Sequence, residues 1–311
     1  MKKISICIPA YKRPGNVRRL LQSIAIQTFT DFEVILTDDS PDSSVKEVVD
    51  TFIAFPIHYK KNDPAKGTPA NWNEGISLAQ GEWIKIMHDD DWFASPSSLQ
   101  EFADLTASGH HFIFSRYTNI DESGKTEQPP LPEDSKKRIL KEPVTLLARN
   151  VIGPPSVTLI HHSIKERYDT SMKWRVDIDY YIRLLREQPS FGLVEIAAIN
   201  VGVSQSQVTN DCKDVPGVEL PEGLLLLHKY GTKPLRHMLV YDAWWRILRN
   251  TGMRSREQLV AYTPYQEWPN IIFRMIAHQR WVPASWLRFG PLSKTLMLLS
   301  YLLNQSQLPR Q

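Results

Sequence analysis

Short apolar runs alternate with helical patterns over residues 4–87, and three of those runs stop abruptly at a polar cluster. Ile4, Ile6 and Ile8 alternate with Ser5 and Cys7 at the strand period of two. A polar loop, Pro9-Ala10-Tyr11-Lys12-Arg13-Pro14-Gly15-Asn16, comes next, and Val17, Leu20, Leu21, Ile24 and Ala25 then recur at helical spacing. Phe32 to Thr37 reads as a second strand that ends at Asp38-Asp39-Ser40-Pro41. Ser44 is expected to cap a helix through Val45, Val48, Val49 and Phe52, with Glu47 three residues on as in a capping box. Ile57-His58-Tyr59 is a third strand, and a helix from Pro69 to Ala79 is closed by Gly81. Trp83 to Met87 is the fourth, running straight into His88-Asp89-Asp90-Asp91. Strands alternating with helices imply right-handed crossovers and an α/β fold with a doubly wound, mostly parallel sheet. Ligands of such sheets bind beyond the carboxyl ends of the strands. The clusters around Tyr11, Asp39 and Asp90 are therefore expected to converge on one nucleotide-binding crevice.

The rest of the chain changes character. Phe112-Ile113-Phe114 and Val157-Thr158-Leu159-Ile160 are strand-like, Asp121 to Lys125 is a turn, and the Pro-rich stretch Gln128 to Lys137 reads as a surface loop. A helix begins near Asp177, and Leu193 to Val203 is again strand-like. Helices are expected over Pro234–Asn250, Glu257–Tyr262 and Leu292–Leu303. Two cysteines, Cys7 and Cys212, have neither CxxC nor Cys/His spacing, which argues against a disulfide framework or thiolate metal site. Met1-Lys2-Lys3-Ile4 opens a strand rather than a signal peptide, and Leu296 to Leu303 is far short of a membrane span. A cytoplasmic location is expected.

Four segments together resemble the inverting family 2 glycosyltransferases of the GT-A fold, a Rossmann-like class of nucleotide-diphospho-sugar transferases. They are Ser5 to Tyr11, Gln27 to Ser40, Asn73-Glu74-Gly75-Ile76 with Gly81-Glu82-Trp83-Ile84, and His88-Asp89-Asp90-Asp91-Trp92. Any one is weak; their order and spacing are specific. The resemblance implies a nucleotide-sugar half over residues 1–105 and an acceptor-binding half over 106–215; residues 216–311, which it does not cover, read by their pattern as a helical extension. The resemblance also implies transfer of a sugar from a UDP-, dTDP- or GDP-sugar to a hydroxyl acceptor, with Mg²⁺ or Mn²⁺ as cofactor. A divalent ion neutralises a diphosphate leaving group, and carboxylate oxygens at a strand end suit such an ion. The family's motif is Asp-any-Asp. Aligned on Gly81-Glu82-Trp83-Ile84, its first position falls on His88, a departure, and its second on Asp90. Asp90 is then the metal ligand, with Asp91 and Asp89 as helpers.

On the nucleotide side the resemblance implies roles for Pro9, Ala10, Tyr11, Arg13, Asp38, Asp39 and Asp89. Tyr11 packs on the base, and Asp39 bonds base or ribose. Val176-Asp177-Ile178-Asp179-Tyr180 matches the segment that carries the family's catalytic base, with Asp177 as base and Asp179 as runner-up. Acids in a first helical turn also suit the helix dipole, so a capped helix is the competing reading. Gly153-Pro154-Pro155-Ser156 resembles the acceptor-side loop. A histidine that family members often carry near the end of this half is absent, since the best match is Ser204 within Val203 to Gln207.

Net charge is +3 but unevenly spread. Residues from Gly223 onward hold 12 Lys/Arg against 3 Asp/Glu and five of the nine tryptophans, on an otherwise acidic body. Trp281, Trp286 and Leu287 near Arg280, Arg288 and Lys294 suit an anionic membrane surface, or else the aromatics pack a helical core. A glycan or lipid-linked glycan acceptor at the inner face of the plasma membrane, in bacterial surface-polysaccharide synthesis, fits the first reading. No nucleic-acid partner is expected. Two other classes compete: a metal-dependent nucleotidyltransferase, which would need a richer glycine loop than Pro9–Asn16 offers, and a non-catalytic anion-binding module, which leaves the acid run unexplained.

Overall fold

A computed structural model describes residues 2–204, 211–264 and 266–309. Gln205 to Gln207, part of the segment matched to the missing histidine, lie outside the described residues. The chain forms two compact units: residues 1–140, 151–171 and 179–206 make the first, and 141–150, 172–178 and 207–311 the second.

The first unit holds a nine-stranded sheet. Strands β1 (Ile4–Ala10), β2 (Phe32–Asp38), β3 (Ile57–Lys61) and β4 (Trp83–Ile86) run parallel in the order β3-β2-β1-β4. Helices α1 (Pro14–Ala25), α2 (Ser44–Asp50) and α3 (Ala70–Leu78) make the crossovers. Because both faces of β1 are covered, Ser5 and Cys7 are as buried as the isoleucines between them. The α3–β4 turn passes so close to β1 that a Cβ on Gly81 would lie 2.7 Å from the Ser5 amide nitrogen, which explains the glycine there. Beyond β4 the sheet turns mixed: β8 (Thr158–His161) is antiparallel to β4 and to β6 (Phe112–Asp121). β6 pairs in parallel with β9 (Gly192–Gly202), β5 (Trp92–Phe93) closes the far edge, and β7 (Gly124–Glu127) forms a hairpin with β6. A short helix, α4 (Ser98–Asp104), follows β5.

Two local expectations are corrected. Glu133–Lys141, expected to be mostly surface loop, is helix α5: Glu133 and Asp134 in its first turn complement the dipole, and Ile139 buries. The N-cap position of α2 is Ser43 rather than Ser44, and no capping box forms, because the Ser43 hydroxyl donates to the Glu47 carboxylate and Ser44 Oγ donates to Asp42.

Helix α6 (Val176–Glu187) starts at the expected place. The second unit is helical and has its own core. Its elements are α7 (Pro216–Tyr230), α8 (Met238–Asn250), α9 (Arg256–Ala261), α10 (Asn270–Arg280), α11 (Ala284–Arg288) and α12 (Gly290–Asn304). Leu220, Leu224, Tyr241, Trp244, Trp245, Trp268, Ile272 and Met275 interlock in one apolar cluster. A Cβ on Gly223 would lie 2.7 Å from the Trp244 ring, so α7 meets α8 through a glycine. Three of the unit's tryptophans are thus core, whereas Trp281 and Trp286 are exposed, and Leu287 is fully buried.

Candidate active site

The acid run begins where β4 leaves the sheet. The Met87 amide still donates to the Cys7 carbonyl (2.9 Å), so the chain is free to turn only at His88. The Asp91 amide then reaches back to the His88 carbonyl (3.1 Å) and closes a tight turn. That turn brings one ligand atom each from His88, Asp90 and Asp91 within 4.8 Å of one another. Ser156, on the loop before β8, holds the turn from below: its hydroxyl accepts from the His88 amide (2.9 Å) and donates to Asp91. Gly202, at the end of β9, donates its amide to Asp91 Oδ1 (3.1 Å). A Cβ on Gly202 would sit 2.4 Å from the Asp90 carbonyl oxygen, so only glycine permits this approach.

The electrostatics of the turn are those of crowded, dehydrated acids. Burial pushes Asp89 up to about 7, with Arg13 opposing. Burial, followed by the neighbouring Asp90 charge, pushes Asp91 well above the carboxylate range. Burial pulls His88 down to about 4, which leaves its imidazole neutral at physiological pH. His88 rests its ring on Trp72 (4.6 Å between centroids), and its buried Nε2 has no hydrogen-bond partner. A neutral imidazole nitrogen without a donor beside two carboxylates is the donor set a divalent cation takes. The residues present therefore fit the metal that the resemblance implies, with His88 as a third ligand.

The loop after β1 closes over this turn. Lys12 and Arg13 both adopt left-handed backbone (φ 59° and 54°), a conformation that non-glycine residues hold at a cost of order 1 kcal/mol or more each. The loop is held there by the Lys12 amide on Ser40 Oγ (2.7 Å) and the Tyr11 amide near Asp89 Oδ2 (3.4 Å). Arg13 sets its guanidinium between Asp90 Oδ2 (3.1 Å) and Asp89 Oδ1 (3.6 Å). Arg19, one turn into α1, donates to the Asp90 carbonyl (2.9 Å) and stacks on Trp92 at 3.7 Å. The Tyr11 ring is half exposed and available to a planar ligand; Pro9 is partly exposed and Ala10 is buried.

Asp38 and Asp39 need a revised reading. Asp38 is fully buried; it accepts from the Ser40 amide (2.8 Å), the Tyr59 hydroxyl (2.8 Å) and Lys61 (3.0 Å). A carboxylate so enclosed cannot touch the nucleotide and instead fixes the β2 terminus. Asp39 accepts from Asn62 Nδ2 (2.7 Å) and the Lys66 amide (3.1 Å) on one oxygen and from the Gly67 amide (2.7 Å) on the other. Its second oxygen retains an acceptor direction, and its clear work is to fold the loop 62–67 onto the crevice. Lys66 itself pairs with Glu74 (2.9 Å).

The second-half acids also separate. Asp177, half-buried in the second unit at the start of α6, accepts from Asn150 Nδ2 (2.7 Å) and the Ile178 amide (2.8 Å). Burial pushes it up to about 6 against those hydrogen bonds. Asp179 is fully buried in the first unit and paired with Arg183 (3.0 Å). Arg19, Gly202 and Asn150 carried no signal in the sequence, because each acts through a contact far along the chain; Ser156 was marked only as part of the acceptor-side loop, and its hold on the acid turn was not legible.

A model for glycosyl transferase family 2 matches residues 5–167. An uncharacterized glycosyltransferase of Haemophilus influenzae is 29% identical over 196 residues, 60% of this chain and 63% of its own length. The chain thus spans less than two thirds of that relative. The putative colanic acid biosynthesis glycosyl transferase WcaA of Escherichia coli is 28% identical over 223 residues, 69% of this chain and 78% of that one. Among solved structures, S. aureus TarS 1–349 in complex with UDP-GlcNAc superposes with a TM-score of 0.59 at 15% identity, covering 97% of this chain and 92% of that one, a likeness of fold alone. With the family's model spanning more than half of its length, this chain belongs to glycosyl transferase family 2.

Proposed function

We propose that this chain catalyses the inverting transfer of a sugar from a nucleotide-diphosphate-sugar to a hydroxyl of a glycan or lipid-linked glycan. The observation that carries the proposal is the convergence of ligand atoms from His88, Asp90 and Asp91 at the end of β4, beneath the strained β1–α1 loop. Asp90, with Asp91 and His88, would hold a divalent ion; of Mg²⁺ and Mn²⁺, an imidazole ligand favours Mn²⁺. When bound, the ion supplies positive charge to the diphosphate leaving group. Tyr11 offers an aromatic face to the base, and Arg13 brings a second cation to the phosphate side. Asp39 accepts from base or ribose through its remaining oxygen direction.

The chemistry then needs a base for the acceptor hydroxyl, whose oxygen attacks the anomeric carbon from the face opposite the diphosphate. Asp177 suits that role better than Asp179: it is partly open, it holds no ion pair among the described residues, and its affinity for a proton is raised. Asp179 is enclosed with Arg183. The name of the Escherichia coli relative supports a place in surface-polysaccharide synthesis, and the TarS complex makes UDP-sugars the first donors to try.

Calorimetric titration of UDP, dTDP and GDP in the presence of Mn²⁺ tests the reading. At least one nucleotide should bind, and Asp90→Ala or excess chelator should abolish the heat. Undiminished binding in both would overturn the metal assignment.

A further inference from the structure

Helix α12 is built with its polar side inward. Its buried positions are Ser293, Met297, Ser300 and Asn304, spaced four, three and four apart, which marks a single helix face. Three of the four are polar, and each makes a side-chain hydrogen bond inside the second unit, with Asn304 Oδ1 left unpaired. Ser293 Oγ accepts from Trp245 Nε1 (3.2 Å) and Arg249 (3.1 Å). The Ser300 hydroxyl meets the Tyr241 hydroxyl (2.6 Å) and His278 Nδ1 (2.7 Å), and Asn304 Nδ2 donates to the Tyr241 oxygen (2.9 Å). The opposite face carries Leu298, Leu299, Leu302 and Leu303, all exposed, with Leu303 open over 68% of its surface. Trp281, exposed over 81%, and Trp286 and Phe289 stand out from the segments leading into the helix. A surface helix ordinarily turns its apolar stripe to the core and its polar residues to water. Here the arrangement is reversed, and such an apolar face marks an interaction site.

Charge decides what covers it. Residues 268–311 contain no aspartate or glutamate. Arg274, Arg280, Arg288 and Lys294 are all exposed. A second copy seated on this face would bring cations against cations, whereas a surface of anionic headgroups over acyl chains matches both the charge and the leucines. Tryptophan suits the boundary between the two. Among the described residues no helix is long and apolar enough to cross a membrane, so the contact lies along the interface plane. We infer that the leucine face of α12, with Trp281, Trp286 and Phe289, is a docking face for an anionic lipid surface. This inference does not rest on the transfer reaction.

Flotation of the full chain with phosphatidylglycerol vesicles and with pure phosphatidylcholine vesicles, at low and high salt, tests it. The protein should float with the anionic vesicles, and about tenfold less strongly with neutral ones or at high salt, where charge is screened. Changing Leu298, Leu299, Leu302 and Leu303 together to serine should cut binding at least about tenfold, because their apolar insertion is lost. Since these side chains already face solvent, melting temperature and circular dichroism should stay unchanged. A second variant, with Arg280, Arg288 and Lys294 changed to glutamate, should lose the preference for anionic vesicles. No binding to anionic vesicles at low salt, or equal binding by the serine variant, overturns the inference. So does a parent chain that dimerises and ignores vesicles while the serine variant is a monomer, which would assign the face to a second copy. Nucleotide binding measured on the same samples keeps failure of docking distinct from failure of the donor site.

Discussion

His88 stands where the family pattern has its first aspartate, and that single exchange changes the character of the proposed cation site. A fourth carboxylate would crowd Asp89, Asp90 and Asp91 further, whereas a neutral ring adds a donor without charge. Its Nε2 is buried without a partner, a state that costs stability unless a ligand repairs it. His88→Ala should therefore weaken Mn²⁺ binding, followed by the paramagnetic signal of free Mn²⁺, about tenfold or more. His88→Asp should raise the affinity for Mg²⁺ relative to Mn²⁺; unchanged titrations in both variants would remove His88 from the ligand set. Asp177 gives the second prediction at this scale. As a base it must be ionised, so kcat/KM should fall as pH drops through about 6. Asn150→Ala removes a hydrogen bond to the ionised form and should move that limb upward. For stability the sign is opposite: the folded state holds this proton more tightly than the ordinary value near 3.8, so the group favours folding most at low pH and less as pH rises through about 6. Asp177→Asn should thus lose about 10²–10⁴ in turnover while melting no lower than the parent at pH 8. Near-parental turnover would move the base elsewhere. The candidate residues themselves were readable as an acid run at a strand end, but the enclosure of Asp38 by Tyr59 and Lys61 was not, since those partners lie 21 and 23 residues away.

At the scale of elements, legibility follows the strength of local pattern. The β1-to-β4 half was readable because three of its four strands end in a polar cluster and the helices between them keep their period. Helix α7 falls within the helical extension read over 216–311 but was not delimited there, since Pro216 and Pro221 punctuate it and prolines read as breakers; Pro221 sits inside the helix all the same. That helix matters to the proposed base. The Glu222 carboxylate, nearly buried on α7, accepts the backbone N–H groups of Lys173 (2.6 Å), Trp174 (2.9 Å) and Arg175 (2.8 Å). Arg175 also pairs with Glu219 on the same helix. Three successive amides are thereby pinned just before Asp177, which makes Glu222 a positioning residue. Glu222→Ala should leave those donors unpaired and cost about 1–3 kcal/mol of stability. Glu222→Gln, which keeps an acceptor, should recover most of the melting temperature yet shift the pH limb assigned to Asp177. If the glutamine variant keeps both the parental melting temperature and pH profile, the cap is structural only.

For the whole molecule, two units with separate cores mean that charge and chemistry are allotted unevenly along one chain. The acid-rich sheet unit carries the groups proposed for cation and nucleotide, and the basic helical unit carries Asp177 and the exposed leucines. The uneven charge was legible from counting alone, whereas the sorting of the tryptophans was not. Trp244 and Trp245 recur on α8 in a pattern that suits core or membrane equally, and only the packing of Gly223 against Trp244 decides for the core. Ligand linkage gives a test that reads the entire chain. A nucleotide that binds only the folded sheet unit, and only with its cation, stabilises that state by RT ln(1 + [L]/Kd), about 2.7 kcal/mol at a hundredfold excess over Kd. With an unfolding entropy of about 2.1 cal/mol/K per residue, that amounts to a rise in melting temperature of about 4 °C for a chain of 311 residues. Nucleotide without cation should produce almost no rise, because the diphosphate would then face Asp89, Asp90 and Asp91 with Arg13 as the nearby counter-charge. Cation alone should produce a smaller rise that disappears in Asp90→Ala. A full nucleotide-dependent shift in the presence of chelator would show that the acid turn does not serve the donor, and would leave Tyr11 and Asp39 as a binding site without a cation.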